Sequence, residues 1–400
     1  MVTGLRPGSA DEVGIDPQRL ARARDLCARW VAEGHTPTLG VCVARRGVIV
    51  LHEAFGVLGP GPDSPPLACD ALFPVASITK PVTATLVMQL VEDGLLGLNR
   101  PAVDYLPELT GEGVEEILVH HLLTHTSGYQ SLADPALIEH VVAKAKRGFE
   151  SPPCPPTQHP DIHRRFWLFC DAPRVAAAGQ EMIYSDLNFQ LLGEIVRRLS
   201  GRRLEALARE RIFAPLGMHA SFLEVPESES PRVVQRALGL PLTDARDPRL
   251  HLGSRVSQEI PSASGGLYTT LLDLATFGQA FLEGGRHGEA RILSRAAVEA
   301  MTTDQIPGLR ARFFGKQGER ASCGYGWLVS SPVKWKYFEG SLRTLGTFCH
   351  PGAGGSCLWI DRERELVGVY FEVTTRVTED FSHRWNFDLF QNVITAAVDD

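Results

Sequence analysis

A serine and a lysine three residues apart, in Ser77-Ile78-Thr79-Lys80, have the types and spacing that can turn a hydroxyl into a nucleophile. They lead into Val82, Leu86, Val87, Leu90 and Val91, an apolar helical stripe ending at Gly94, so Ser77 stands at a helix N-terminus with Lys80 one turn on. The i, i+3 spacing puts both side chains on one face, and the helix dipole favours negative charge developing at that end. Lys80 can take the serine proton only where burial or neighbouring positive charge lowers its pKa from about 10.4. Alone the pattern is weak. Ser331-Pro332-Val333-Lys334 has the same spacing in a strand-and-loop context, and an N-cap serine followed by a solvated lysine is the plainer account.

Two further segments add to it. Tyr184-Ser185-Asp186 precedes the helical run Leu187, Leu191, Leu192, Ile195 and Val196, and a phenol beside a Ser/Lys pair can share its proton and serve the leaving group. By itself Tyr184 reads more readily as a core or interface aromatic. His350-Pro351-Gly352-Ala353-Gly354-Gly355 lies between two strands; its glycines allow close backbone approach, and a strand edge offers N–H groups to a carbonyl oxygen. Its bland counterpart is a glycine-rich hairpin turn with an incidental histidine.

Other chemistries find little support. There is no G-x-S-x-G elbow, H-E-x-x-H, Walker loop or G-x-G-x-x-G, which sets aside α/β-hydrolases, zincins and nucleotide enzymes. His159, Asp161 and His163, and the pair His120-His121, lack a fourth metal ligand and read as solvent-exposed polar residues. The eight cysteines (27, 42, 69, 154, 170, 323, 349 and 357) form no C-x-x-C pair and read mostly as reduced, buried fillers. Arg164-Arg165 with Phe166, Trp167 and Phe169 reads as a helix seated on the core.

The elements that must position these residues follow from periodicity. Residues 17–34 have helical spacing, with Asp16-Pro17 at the start and Gly34 at the C-cap. Residues 38–44 and 48–54 are strands joined at Arg45-Arg46-Gly47 as a hairpin. The stretch 75–310 is mainly helical, strands return near 323–330, 343–350, 356–362 and 366–374, and a helix covers 384–398. The fold class is therefore α/β (α+β): one antiparallel sheet built from both ends of the chain, flanked by terminal helices, with a helical region beside it and a cleft between. The expected division is a sheet subdomain (15–74 and 320–400) and a mainly helical one (75–319), with a proline-rich surface loop or lid at 148–160. Composition agrees: 400 residues, 44 % hydrophobic and 22 % charged, suit a globular chain with a sizeable core. The charge of −7, with no long basic run, speaks against nucleic acid as a partner. No stretch is apolar enough to span a membrane and no signal peptide is visible at the start, so a soluble cytoplasmic protein is expected.

Taken in order, the three segments resemble the serine β-lactamase and penicillin-binding-protein superfamily, most closely its class C-like branch of family VIII-type carboxylesterases, D-peptidases and acyltransferases. Leu122-Leu123-Thr124-His125-Thr126-Ser127-Gly128, Ile212 through Met218, and Ser264-Gly265-Gly266-Leu267-Tyr268-Thr269-Thr270 are similar to that branch too. The resemblance spans about residues 15–375 and implies an acyl-enzyme on Ser77, with Lys80 and Tyr184 handling protons and an oxyanion hole of the Ser77 and Ala353 N–H groups. Asp186, His350 and Gly352 would face the substrate, Trp167 would shape the acyl pocket, and no metal or organic cofactor is implied. Where lactamases carry Lys-Thr-Gly this chain has His350-Pro351-Gly352, and its Tyr184-Ser185-Asp186 ends in Asp rather than Asn. Both departures point away from anionic substrates and toward neutral small-molecule esters. Amide or D-amino-acid peptide hydrolysis and acyl transfer use the same chemistry, and a catalytically silent binding protein would keep the fold alone.

Overall fold

The computed structural model describes residues 4–131, 134–237, 252–313, 316–332, 339–374 and 385–399. Lys334, of the second Ser-x-x-Lys, lies outside them. Among the described residues the sheet has seven strands: β1 (Arg6–Pro7), β2 (Thr38–Arg45), β3 (Val48–Gly56), β4 (Leu328–Val329), β5 (Thr347–Gly352), β6 (Ser356–Asp361) and β7 (Leu366–Glu372), in the order β1-β3-β2-β7-β6-β5-β4. All pairings are antiparallel except that of the short β1 on β3. The junction is β2 against β7, which pairs Arg45 with Leu366 and Leu39 with Glu372, so the two ends of the chain meet in mid-sheet.

Burial on both faces explains the near-continuous apolar runs of β2, β6 and β7. On β7, Val367, Val369 and Phe371 join one core with the helix Leu271–Leu282, while Leu366 and Tyr370 join another with the terminal helices. Those terminal helices are α1 (Pro17–Ala32) and the C-terminal Trp385–Ala396. Asp16 caps α1 by accepting from Gln18 N (2.8 Å) and Arg19 N (3.2 Å), and its own N–H donates to the Ala397 carbonyl (2.8 Å), tying the chain ends together. Between β6 and β7, Trp359 stands opposite Gly368, where an added Cβ would come within 1.9 Å of the indole.

The helical region contains α2 (Thr79–Glu92), α3 (Val119–Leu123), α4 (Pro135–Lys146), α5 (Pro160–Phe169) and α6 (Asp186–Ser200). The proline-rich stretch before α5 is anchored: Gln158 donates to Glu194 of α6 (2.9 Å), Arg197 donates to Thr157 (2.7 Å), and His163 Nε2 bonds the Pro152 carbonyl (2.8 Å). Two strand boundaries differ from expectation. Of 323–330 only Leu328–Val329 is sheet, with Cys323 bridging to Leu328, and β5 starts at Thr347 because Thr344 is held in a turn by Asp361 (2.7 Å). Among the described residues no helix is long and apolar enough to cross a membrane.

Candidate active site

Ser77 lies one step earlier than the helical pattern suggests, in a 3-10 turn (Ala76–Ile78) that runs into α2. The turn is set up by the short strand Phe73–Pro74, paired with Tyr268–Thr269, and by Val75 N donating to the Leu267 carbonyl (3.0 Å). Ala76 takes a left-handed φ of 47°, a costly conformation for a residue with a Cβ, and Ser77 directly follows it. Being in the first turn, the Ser77 N–H has no preceding helical carbonyl to bind.

Lys80, 0 % exposed, donates to Ser77 Oγ (2.9 Å), Asp186 Oδ1 (2.7 Å) and the Ser264 carbonyl (2.9 Å). Three acceptors match the three protons of an ammonium. The lowered pKa that proton acceptance by a lysine requires is not found in the resting site. Burial does push it down, but the Asp186 carboxylate outweighs burial and the net direction is up. Asp186 itself, 29 % exposed at its side chain, opens α6. It serves first as the partner of Lys80, and its charge is matched there.

Tyr184 follows the strand Met182–Ile183, paired in parallel with Ala311 and Arg312, and its N–H donates to the Arg312 carbonyl (3.2 Å). Its hydroxyl interacts with both Lys80 and Ser77, and Lys80 Nζ lies 4.9 Å from the ring centroid. Burial raises the Tyr184 pKa, with Lys80 opposing and Asp186 reinforcing the rise. The resting site is thus a charged Lys80 and a protonated Tyr184, joined at the Ser77 hydroxyl.

Two histidines wall the site. His350, on β5, is buried, bonds the Pro351 carbonyl through Nδ1 (2.8 Å), and lies 6.4 Å from the Tyr184 ring. His125 was not singled out from the sequence. It is buried, stacks on Tyr184 at 4.4 Å, and accepts from the Ser185 N–H at Nδ1 (3.2 Å), which leaves Nε2 to carry the proton of the neutral ring. Burial, then Lys80, hold its pKa well below the ordinary range, so it is a neutral wall. The clue lay in a histidine beginning a Thr-Ser-Gly turn; the missing signal was its contact with a tyrosine 59 positions later. The Ser264 carbonyl was likewise missed, because a backbone acceptor has no signature in side-chain types.

β5 lies directly against the Ser77 turn. A Cβ on Gly352 would fall 2.1 Å from the Val75 carbonyl oxygen, and Ser356 Oγ donates to that same oxygen (3.1 Å). Ala353 begins the turn after β5. Trp167 sits apart, half-buried on α5, where it packs edge-on to His163 and Phe166; the contacts that knit Ser77, Lys80, Tyr184 and Asp186 do not include it. His120, His121, His159 and His163, which the sequence suggested to be solvent-exposed, are half-buried or buried and hold local structure. His121 accepts from Leu118 N (3.1 Å), His120 pairs with Tyr325 (3.3 Å), His159 caps α5, and among the described residues no His/Cys/Asp/Glu group could hold a metal. Six cysteines are buried, as expected; Cys69 is half-buried and Cys154 exposed.

The Beta-lactamase family profile matches residues 23–391. Protein Rv1367c of Mycobacterium tuberculosis (strain ATCC 25618 / H37Rv) is 30 % identical over 331 residues, covering 76 % of this chain and 78 % of that protein. Among solved structures, a penicillin-binding protein homolog from Caulobacter crescentus superposes with a TM-score of 0.72 at 23 % identity, covering 96 % of this chain and 99 % of its own. A family VIII carboxylesterase does so with a TM-score of 0.71 at 20 % identity, covering 95 % and 99 %. At such identities the two structures speak to fold, and it is the sequence match over most of the length that decides membership: the chain belongs to the Beta-lactamase family.

Proposed function

We propose that this chain is a serine hydrolase that forms an acyl-enzyme on Ser77 and acts on carboxylic esters of neutral small molecules. The observation that carries this reading is the buried Lys80 ammonium donating to Ser77 Oγ at 2.9 Å with Tyr184 in contact with both. The Lys80–Tyr184 pair first gives up one proton to solvent, and Ser77 Oγ then adds to the ester carbonyl carbon as its own proton refills that place. The tetrahedral oxyanion takes hydrogen bonds from the Ser77 and Ala353 N–H groups. Collapse breaks the bond to the leaving alcohol, which receives the proton through the Tyr184 hydroxyl. Water then repeats the sequence on the acyl-enzyme, releasing the acid and restoring Ser77.

The preference for neutral substrates rests on β5. Pro351 offers no N–H donor, and the buried His350 ring spends Nδ1 on the Pro351 carbonyl, so this strand brings no lysine ammonium to a substrate carboxylate. Residues Asp186, His350 and Gly352 border the proposed acyl site, and no cofactor takes part in these steps.

The test is hydrolysis of p-nitrophenyl butyrate by the wild type and by Ser77→Ala, with mass spectrometry of the trapped acyl adduct. Turnover in the wild type and a loss of at least about a thousandfold in the variant is expected. Equal activity in both would overturn the assignment of Ser77. Activity confined to D-amino-acid amides, or product diverted to an added alcohol, would replace the esterase by a peptidase or an acyltransferase of the same chemistry.

A further inference from the structure

Behind the turn that carries Ala353 the chain buries a guanidinium that the chemistry above does not use. Arg236 is 5 % exposed and donates from Nη2 to the Gly354 carbonyl at 2.6 Å, while its buried Nε and Nη1 have no hydrogen-bond partner among the described residues. Burial pulls its pKa down to about 10, and the opposing charge is Glu372 on β7. Burying a cation with incomplete hydrogen bonding is costly, so the one bond Arg236 does make is the feature that calls for explanation.

That bond acts on a segment with little else to hold it. Residues 353–355 are Ala-Gly-Gly, with no side chain beyond a methyl to pack. On its near side the segment is pressed against the Val75 carbonyl through Gly352. On its far side the Gly354 carbonyl accepts from Arg236 and from Thr374 N (3.1 Å), and the Gly355 carbonyl accepts from Glu372 N (3.1 Å). Arg236 is the one charged donor in that set, and charge-assisted hydrogen bonds are roughly twice as strong as neutral ones.

We propose that Arg236 is a positioning residue for the oxyanion hole: by holding the Gly354 carbonyl from behind, it fixes the turn so that the Ala353 N–H converges with that of Ser77. This rests on the acyl-enzyme reading above. A displaced oxyanion donor weakens binding of the tetrahedral state while leaving the ground-state ester little affected, so the loss falls on kcat and not on KM.

The experiment compares the wild type with Arg236→Lys and Arg236→Gln, measuring kcat and KM for p-nitrophenyl butyrate, inhibition by an alkyl boronate that mimics the tetrahedral state, and Tm. Labelling of Ser77 by a p-nitrophenyl phosphonate is read in the wild type first. Expected are KM within about twofold throughout, kcat lower by about threefold or more in Arg236→Lys and by about tenfold or more in Arg236→Gln, and boronate affinity falling in step with kcat/KM. Unchanged kcat and boronate affinity with a lowered Tm would overturn the proposal, as would equal weakening of substrate and boronate binding. Absence of Ser77 labelling in the wild type would instead overturn the acyl-enzyme reading, and this proposal with it. Should Arg236→Gln not fold, Arg236→Lys, which keeps the buried cation, decides by the same criteria.

Discussion

At Lys80 two influences oppose each other. Burial favours the neutral amine, and the Asp186 carboxylate 2.7 Å away favours the ammonium and prevails. The residue at 186 therefore governs how easily the Lys80–Tyr184 pair loses a proton, because the same carboxylate also raises the Tyr184 pKa. In Asp186→Asn that negative charge is gone and both groups deprotonate at lower pH, so the acid limb of the pH–rate profile should move downward. We expect the ratio of activity at pH 6 to that at pH 9 to rise by about threefold or more in this variant. A limb that stays in place or moves to higher pH would show that Asp186 does not set the proton balance. The shift has the same sign whichever of the two groups holds the exchanged proton, as is proper for a coupled pair.

Among the elements, β5 and β7 are each constrained by a glycine facing a bulky neighbour. Gly352 lets β5 close on the Ser77 turn, and the Cβ of Gly352→Ala would meet both Val75 O and Ser356 Oγ at 2.1 Å. The Ser356 hydroxyl can rotate away, but the Val75 carbonyl is backbone, so the strand must retreat. We expect kcat to drop by about tenfold or more at a stability cost of about 1–3 kcal/mol, read by kinetics and chemical denaturation. Gly368→Ala meets the Trp359 indole instead, in the core between the sheet and the terminal helices. There the cost should fall on stability, again about 1–3 kcal/mol or more, with kcat nearly unchanged in the folded fraction. Similar kinetic damage from both substitutions would mean that the site does not depend specifically on the approach of β5.

For the molecule as a whole, Glu372 joins several parts. It is buried at the end of β7, accepts from Tyr370 (2.6 Å) and from Asn386 (3.4 Å) at the start of the C-terminal helix, and faces Arg236. Burial raises its pKa from 4.5 to about 7 against the hydrogen bonds that lower it. The folded state thus binds this proton more tightly than the unfolded chain. The resulting stabilisation is complete below about pH 4.5 and is lost as pH rises through about 7, amounting to up to about 3 kcal/mol. Between pH 5 and 8 the wild-type Tm should fall, and Glu372→Gln should flatten that dependence. A pH dependence identical in the variant would place the titrating group elsewhere.

How much of this was legible beforehand follows from the range of each interaction. Residues within a turn or two report on one another through periodicity: the α1 cap at Asp16, the β2–β3 hairpin, the helical setting of Ser77 and Lys80, and the return of strands near the C-terminus could all be read from the chain. The order of Ser77-Lys80, Tyr184 and the His350 segment likewise pointed to the family and to one sheet built from both ends. What the order of residues could not supply was every property set by approach across long separations. Asp186 matches the charge of Lys80 only because α6 packs on α2. His125 becomes a neutral wall through burial against Tyr184, and Arg236 reaches Gly354 from more than a hundred positions away. Residue types and local spacing determined which groups could do chemistry; desolvation and charge pairing, which exist only once distant segments are packed, decided their protonation states.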